Sequence, residues 1–522
     1  MGDDPELEKR DRSKIAEADV RTVATGGAIQ IVGQLSQRGL SMLFVAVMVR
    51  VLGKATFGVY RLVAQVLAVI GLLGLSGFNY ATMRAITRAR ARGDDGGVRG
   101  SARVGILGAS ISSLIVGTVL FLASEPLAQK FGKFDADQLS FLFKIGALYV
   151  PFFALLQVLR YCTQAYKTML PSVLAGNILQ PGIFTVVGIG AVIAGLEVTG
   201  LITILVASVA ISAVVAGVLF LRLMSPEERS ASPHADARSM IRFALPQAGS
   251  SFLSIQSLGG GILILGLAGQ TKEAVGLFAI ALALQGPGSV FLGGIVNVWA
   301  PVVTELYEAG EIRRLGSLYQ TINRWVATFS FPIFTALMID PELFAVVLAG
   351  PNAAGAATAV AILAAGNMFY TGTGPTGYLI SMTGHPTVNL INSMIGVALY
   401  VGLGLWLVPE HGIVAMALVD AGVTTLINSV RVVEAYFLVG IQPFGRTFLK
   451  PVLATAAGSS VLLAWRMVPG SGIPLGLVGL ACAGVTYILV LKVLGIEQEE
   501  RHVWERVRNR VGRKRRSVRD PG

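Results

Sequence analysis

Arg38 lies in the middle of a long apolar segment. A permanent charge is costly in that position, so it suggests a functional role. At 1.5 Å per residue it is about 16–21 Å from either end of that segment, a long reach for its guanidinium to the aqueous boundary. Gln30, Gln34, Gln37 and Ser41 surround it at helical spacings and form one polar stripe. The stripe predicts a water-filled, substrate-facing position; structural pairing of Arg38 inside the helix bundle is the alternative.

Polar stripes recur in three other apolar segments and could line the same cleft. They comprise Arg61, Gln65, Ser76 and Asn79; Gln247, Ser250, Ser254 and Ser257; and Gln285, Ser289 and Asn297. For each uncharged stripe taken alone, hydrogen bonding between neighbouring helices is the alternative. The candidate substrate-binding residues are Arg38, Gln34, Gln30, Arg61, Gln65, Asn79, Gln247, Ser254, Gln285 and Asn297.

Asp420 is the main acidic residue at depth and is the candidate for ion coupling; a hydrogen-bonded structural aspartate is the alternative. The two cysteines, Cys162 and Cys482, lie in separate apolar segments, and the four histidines are scattered. Neither a phosphate-binding G-x-x-x-x-G-K-[ST] nor an H-E-x-x-H motif occurs. We therefore expect no metal site, no cofactor and no catalytic residue; coupling to H⁺, to Na⁺ or to the membrane potential stays open.

Composition says which kind of element must position these residues. Hydrophobic residues make up 53% of the 522-residue chain and charged residues 14%, and the mean hydropathy is +0.68. Soluble domains carry about 25% charged residues. The net charge is +12, but most Lys and Arg lie between apolar runs and at the ends, which indicates membrane topology rather than a nucleic-acid partner. The basic run Arg513–Arg516 is predicted to face anionic lipid.

A helix needs about 20 apolar residues to cross a bilayer, and on that criterion fourteen spans are predicted. They lie near 24–49, 59–83, 104–123, 139–159, 172–194, 199–221, 241–268, 274–303, 322–338, 356–380, 387–408, 413–436, 448–465 and 473–494. The positive-inside rule then places both termini in the cytoplasm of a plasma (inner) membrane protein. The first span is too long for a cleaved signal peptide, so we expect a signal anchor.

The first twelve spans are predicted to form two similar units. One sequence offset separates Gly58 from Gly276, Tyr60 from Phe278 and Asn79 from Asn297. Each unit has six spans, an even number, so both enter from the same side and the repeat is parallel. The predicted organisation is an N-terminal tail (1–22), an N-lobe (23–222), a flexible cytoplasmic linker (223–240), a C-lobe (241–438), two extra spans (439–495) and a basic tail (496–522).

Short motifs at the span boundaries resemble the polysaccharide transporter family of the multidrug/oligosaccharidyl-lipid/polysaccharide (MOP) exporter superfamily. They are Leu52-Gly53, Phe57-Gly58-x-Tyr60, Leu75-Ser76-Gly77-Phe78 with Arg84, and Gly412-Ile413-Val414-Ala415. The resemblance covers roughly residues 20–440. It implies a flippase that moves a polyprenyl-pyrophosphate-linked glycan to the outer leaflet by alternating access, with the glycan lipid, membrane lipids and enzymes of the same pathway (glycosyltransferases, polymerase) as partners.

Three alternatives have different sequence requirements. A peptidoglycan-precursor flippase of the sister family fits the fourteen spans, whereas the loop motif favours the polysaccharide branch. A multidrug cation exporter needs deep carboxylates, and Asp420 is the residue that would support it. A membrane enzyme such as a glycosyltransferase would be expected to place catalytic carboxylates in large loops between spans. No such loop occurs in the span map.

Overall fold

The computed structural model describes residues 5–253, 259–467 and 472–495, and their regular structure is entirely helical. The first ten helices are α1 Pro5–Leu75, α2 Phe78–Ala91, α3 Asp95–Leu122, α4 Ser124–Gln129, α5 Ala136–Gly146, α6 Tyr149–Gln164, α7 Leu170–Val173, α8 Gln180–Ile193, α9 Val198–Leu223 and α10 Pro226–Ser230. The others are α11 Ala237–Phe252, α12 Gly261–Leu267, α13 Lys272–Glu308, α14 Ile312–Ile339, α15 Pro341–Ala349, α16 Ala357–Thr373, α17 Thr376–Met382, α18 Pro386–Val439, α19 Leu449–Arg466 and α20 Ile473–Val493. A π-helix (Leu174–Leu179) joins α7 to α8.

The two longest helical segments, α1 and α18, each fold back on themselves. Gly53 in α1 has φ 80° and Gly412 in α18 has φ 59°, conformations that glycine adopts without strain. The rings of Phe44 and Tyr60 lie 5.4 Å apart, although a straight helix would separate these residues by about 24 Å. Both segments are therefore hairpins of two membrane-length helices.

Eleven helical segments of the described residues are long and apolar enough to cross a membrane, which confirms an all-α polytopic fold. Two of the eleven are the hairpin segments Ala28–Leu75 and Pro386–Val439. Predicted span 7 is divided between α11 and α12, with 254–258 outside the described residues. The count of fourteen thus stays a prediction.

The helices form two bundles with an addition. In the N-lobe, α1 packs with α3, α6 and α8, and α6 packs with α9. In the C-lobe, α18 packs with α12, α16 and α17, and α14 packs with α13 and α16. The last two helices pack on each other and on α14. Tyr487 of α20 donates a hydrogen bond to the Thr328 carbonyl oxygen of α14 at 2.6 Å. The α1–α13 contact joins the lobes.

The repeat predicted from the sequence is visible in how the lobes meet. A methyl group on Gly58 would lie 1.9 Å from the Lys272 carbonyl oxygen, and one on Gly276 would lie 2.1 Å from the Lys54 carbonyl oxygen. Gly58 and Lys54 are separated from Gly276 and Lys272 by one and the same sequence offset. Reciprocal contacts of this kind are the signature of a two-fold axis. The two units therefore meet about a pseudo-two-fold axis at Gly58 and Gly276.

The linker between the lobes is attached to the N-lobe by side-chain contacts, which corrects the expectation of flexibility for residues 223–240. Glu228 of α10 is buried and accepts hydrogen bonds from Tyr166 Oη at 2.7 Å, Arg90 Nε at 3.3 Å and the Ser225 backbone N–H at 2.9 Å. The Arg90 guanidinium also lies 4.0 Å from the centre of the Tyr166 ring. The polar residues that suggested a mobile segment instead attach it to the N-lobe.

A second set of contacts holds the linker to the start of α3. Arg99 donates to the Ala231 carbonyl oxygen at 2.9 Å, and His234 Nε2 lies 3.0 Å from Asp94 Oδ1. The Gly97 N–H donates to Asp94 Oδ1 at 2.7 Å, and this bond, with the His234 contact, keeps the pKa of the Asp94 carboxyl below its ordinary value.

We predict that Glu228→Ala releases the linker. The change leaves Arg90 and Tyr166 without their acceptor, a loss of about 1–3 kcal/mol for a buried hydrogen-bonding group. Trypsin should then cut after Arg229 about tenfold faster or more, since 1.4 kcal/mol corresponds to a factor of ten. Glu227→Ala, which changes the exposed neighbour, is the control. Equal cleavage rates in both variants would contradict an attached linker.

Candidate functional site

A cavity of about 1150 Å³ lies between the lobes. Its walls come from both hairpins and from α2, α11, α13, α16 and α17. Polar lining residues include Gln34, Arg38, Ser41, Arg61, Gln247, Gln285, Ser289, Asn367, Asn389, Asn392, Ser393, Asp420, Asn428 and Arg431. A cavity of this size and polarity can accept a large polar group inside the membrane.

The cavity extends to one side of the molecule only. On α18 its lining runs from Pro386, at the start of the helix, to Val397, and resumes only at Asp420, about two turns beyond the reversal at Gly412. Tyr80 and Met382, near the ends of their helices on the same side, also line it. The opposite side is occupied by the close Gly58–Gly276 approach described above. The cavity thus faces the side that the charge pattern predicts to be cytoplasmic.

Two arginines on the wall have no hydrogen-bond or ion-pair partner in the part of the chain that the structure describes. Among the described residues, neither Arg38 nor Arg61 makes a hydrogen bond or an ion pair, and Arg61 Nε is buried. Gly286 of α13 makes room for the Arg38 guanidinium: a methyl group there would lie 2.9 Å from Arg38 Nη1. A charged group at such depth costs about 2.5–3.5 kcal/mol on insertion scales. Free cations in this position are therefore poised for an anion from outside the protein.

Asp420 lies on the C-lobe wall at the level of Arg61, each about two turns beyond the reversal glycine of its hairpin. Tyr400 Oη donates to Asp420 Oδ2 at 3.0 Å. Asp420 is thus hydrogen-bonded, as the structural alternative requires, and also lines the cavity, as ion coupling requires. No group of three acidic, histidine or cysteine side chains in the described part of the chain could hold a metal ion.

The structure brings together half of the candidate substrate-binding residues. Gln34, Arg38, Arg61, Gln247 and Gln285 line the cavity, whereas Gln30, Gln65 and Asn79 do not. Gln65 and Asn79 are buried between helices. Ser254 lies outside the described residues, as does the side chain of Asn297. The substrate-binding role of each residue stays a prediction.

Residues missed by the sequence analysis complete the C-lobe wall. Arg431 lies inside predicted span 12, close enough to its inner end to resemble a boundary charge. It lines the cavity together with Asp420, Thr424 and Asn428. These four residues are spaced by four, four and three, so they form a polar stripe that helical periodicity could have shown.

Several cavity side chains carry buried polar atoms without a hydrogen-bond partner. They are Arg61 Nε, Gln285 Oε1, Asn389 Oδ1 and Arg431 Nε. Gln285 donates through Nε2 to the Ala281 and Val360 carbonyl oxygens, which fixes its orientation. Unsatisfied buried polar groups are rare in folded proteins and call for an explanation. Four of them belong to residues that line one cavity, which marks this polar region as the candidate site.

Comparison with known families assigns the chain. A family model described as polysaccharide biosynthesis protein matches residues 23–307, more than half of the chain. The chain belongs to this family. The match begins before α1 enters its apolar region and ends within α13, so it covers both arms of the first hairpin and the Gly58–Gly276 contact. A comparison with curated proteins gives no match.

Several solved structures of transporters have a fold similar to that of this chain. The lipid II flippase MurJ, in an inward-closed conformation, aligns with a TM-score of 0.73 over 89% of this chain and 98% of its own, at 10% identity. An inward-facing multidrug resistance MATE family transporter gives 0.63 over 78% and 98%, at 16% identity. A MOP superfamily transporter from Pyrococcus furiosus gives 0.55 over 80% and 95%, at 17% identity. These identities show a shared fold, that of membrane transporters and flippases.

Proposed function

We propose that the protein is a flippase that moves a polyprenyl-pyrophosphate-linked oligosaccharide, a precursor of a cell-surface polysaccharide, across the plasma membrane. The observation that carries this proposal is a pair of arginines, Arg38 and Arg61, on the wall of the cavity between the lobes, with no hydrogen-bond or ion-pair partner among the described residues. Membership of the polysaccharide biosynthesis protein family supports it.

The chemistry of the wall suits a pyrophosphate. Guanidinium groups stay charged at all physiological pH values and make two-pronged hydrogen bonds to phosphate oxygens. Arg38 and Arg61 supply two such groups to the same cavity. Amide and hydroxyl groups such as those of Gln34, Gln247 and Ser289 can bond to sugar hydroxyls. The protein itself performs no covalent chemistry in this proposal; it binds, carries and releases.

Transport follows from alternating exposure of the cavity. In the proposed orientation both termini are cytoplasmic, so the present cavity is accessible from the cytoplasm, where lipid-linked sugars are assembled. Rocking of the two lobes about the pseudo-two-fold axis would open the Gly58–Gly276 closure and expose the cavity to the other side. Asp420, bonded to Tyr400, is the proposed coupling group for H⁺ or Na⁺. Glycosyltransferases or a polymerase of the pathway are the proposed protein partners.

The charge of the cavity walls and the identity of the transported lipid distinguish the alternative transport functions. A multidrug cation exporter would use Asp420 as its cation ligand, but Arg38, Arg61 and Arg431 surround the same cavity and would repel a cation. A peptidoglycan-precursor flippase would use the same arginines on the same polyprenyl pyrophosphate. The nature of the sugar attached to that lipid therefore decides between the two flippase functions.

We predict that depleting the protein stalls a lipid-linked oligosaccharide on the cytoplasmic leaflet. The measurement is lipid extraction with mass spectrometry, combined with an impermeant sugar-labelling reagent that reports the leaflet. Accumulation of a lipid-linked oligosaccharide repeat unit supports the proposal. Accumulation of a peptidoglycan precursor would instead indicate a peptidoglycan-precursor flippase. Drug sensitivity with normal surface glycan would replace the flippase function with multidrug export.

A further inference from the structure

The polar residues of the cavity lie at different depths. Arg61 and Asp420 are near its closed end, about two turns from the reversal glycines. Arg431 is eleven residues further along the same helix as Asp420, which places it about 16 Å closer to the open end. Asn389 begins α18 on that same side. The cavity therefore has one charged region at its closed end, with Arg61 and Asp420 on facing lobes, and a second polar region at its mouth.

The mouth carries exposed aromatic rings from both lobes. Tyr80 of α2 is 37% exposed and Tyr378 of α17 is 47% exposed, and both line the cavity. The Tyr161 ring packs edge-on against Tyr80 at 4.9 Å and fixes its plane. Tyr80 belongs to the N-lobe and Tyr378 to the C-lobe. Flat apolar faces with a polar tip, held on opposite walls, suit the apolar faces and hydroxyl edges of sugar rings.

Two polar side chains beside these rings are held in place with hydrogen-bonding capacity to spare. Asn389 donates through Nδ2 to Ser381 Oγ at 3.0 Å, yet its buried Oδ1 has no partner. Arg431 donates through Nη2 to Ser393 Oγ at 3.1 Å, yet its buried Nε has none. Both residues line the cavity, and hydrogen bonds to serines hold them in place; amide and guanidinium groups can bond to sugar hydroxyls.

We propose that Tyr80, Tyr378, Asn389 and Arg431, the mouth cluster, form a glycan subsite separate from the proposed phosphate contacts of Arg38 and Arg61 deeper in the cavity. This inference rests on the flippase function proposed above. It adds the location at which the protein recognises the sugar chain. The axial distance of about 16 Å between the level of Arg61 and Asp420 and that of Arg431 leaves room for more than one sugar ring beyond the pyrophosphate. The mouth cluster therefore selects oligosaccharide-bearing lipids over lipids with a single sugar.

The test compares two probes in proteoliposomes that contain the full chain. One probe is a polyprenyl pyrophosphate carrying a single N-acetylglucosamine; the other is the same lipid carrying a tetrasaccharide. The quantity measured is the ratio of the initial flipping rates, tetrasaccharide over monosaccharide. We expect Tyr378→Ala and Asn389→Ala each to lower this ratio about tenfold, as loss of one good ligand contact would. Tyr436→Ala, an exposed tyrosine of α18 outside the cavity, should keep the wild-type ratio.

The outcomes distinguish the subsite from the function. An unchanged ratio in both variants, with Arg38→Ala lowering the rates of both probes, overturns the glycan subsite and leaves the flippase function standing. A wild-type protein that moves neither probe overturns the flippase function and the subsite with it. Thermal stability of each purified variant is measured alongside, and Tyr378→Phe, which keeps the ring, should restore most of the ratio if stacking is the source of selectivity.

Discussion

Arg38→Ala should reach the membrane at wild-type abundance or above and lose most of its flipping activity. The substitution removes a side chain that costs about 2.5–3.5 kcal/mol to insert at depth, so folding has nothing to lose from it. Charge-assisted hydrogen bonds to a phosphate are worth about 1.5–3 kcal/mol each, so the initial rate should fall about 10- to 100-fold. The absence of any hydrogen bond or ion pair to Arg38 among the described residues is what separates this expectation from a structural role.

The conservative variant sharpens the test. Arg38→Lys keeps the charge but loses the planar two-pronged geometry, so it should recover only part of the rate. Arg88→Ala removes an exposed arginine of α2 that lies outside the cavity, and it should behave as wild type in both abundance and rate. The measurements are membrane abundance and initial flipping rate for the three variants. A well-folded Arg38→Ala protein with full activity would contradict a phosphate contact, and low abundance with a normal rate per molecule would indicate a structural arginine.

Arg38 shows what could be predicted from the sequence. Burial of a charge at depth has a cost that depends only on its position along an apolar segment, so one arginine in the middle of span 1 was informative by itself. The same holds for the hairpins and the repeat, because glycine spacing and charge between spans are local properties of the chain. The all-α membrane fold followed from these features.

Gln65 and Asn79 show what could not be predicted from the sequence. Helical spacing puts residues on one face of a helix but does not say which neighbour that face meets. Gln65 lies beside Gly259, and Asn79 follows a break in which Ser76 and Gly77 have φ 48° and 73°. That break ends α1 and starts α2 in a new direction, so the predicted continuous face of span 2 does not exist. Its cause is tertiary: the backbone of α11 approaches Gly77 closely.

Contacts between residues that are distant in the sequence also explain why the linker is attached to the N-lobe. Composition describes residues 223–240 as polar, and polar segments between spans are often mobile. A methyl group on Gly100 would lie 2.1 Å from the His234 carbonyl oxygen, and one on Gly96 would lie 2.5 Å from that of Ser232. The close fit depends on two glycines more than a hundred residues earlier in the chain, which no local pattern connects to the linker.

The second large effect is expected at the contact between the repeats. In Gly276→Leu the new side chain would begin 2.1 Å from the Lys54 carbonyl oxygen, a backbone atom that can move only if the two lobes separate. Overpacking of this kind costs about 1–3 kcal/mol, so the closed outer side should become about 5- to 150-fold less populated. Transport requires this side to close in every cycle, and the rate of flipping should fall by a similar factor.

A cysteine introduced at Ser289 on the cavity wall, in a Cys162→Ala, Cys482→Ala background, reports which side is open. In the present conformation an impermeant maleimide should label it from the cytoplasmic side. With Gly276→Leu added, labelling should shift to the opposite side, because the cavity can no longer close there. Gly402→Leu, at a helical glycine of α18 with no atom within 4 Å of its position, is the matched control and should leave labelling unchanged. Unchanged labelling and transport in Gly276→Leu would mean that the lobes do not use the Gly58–Gly276 contact to seal the cavity.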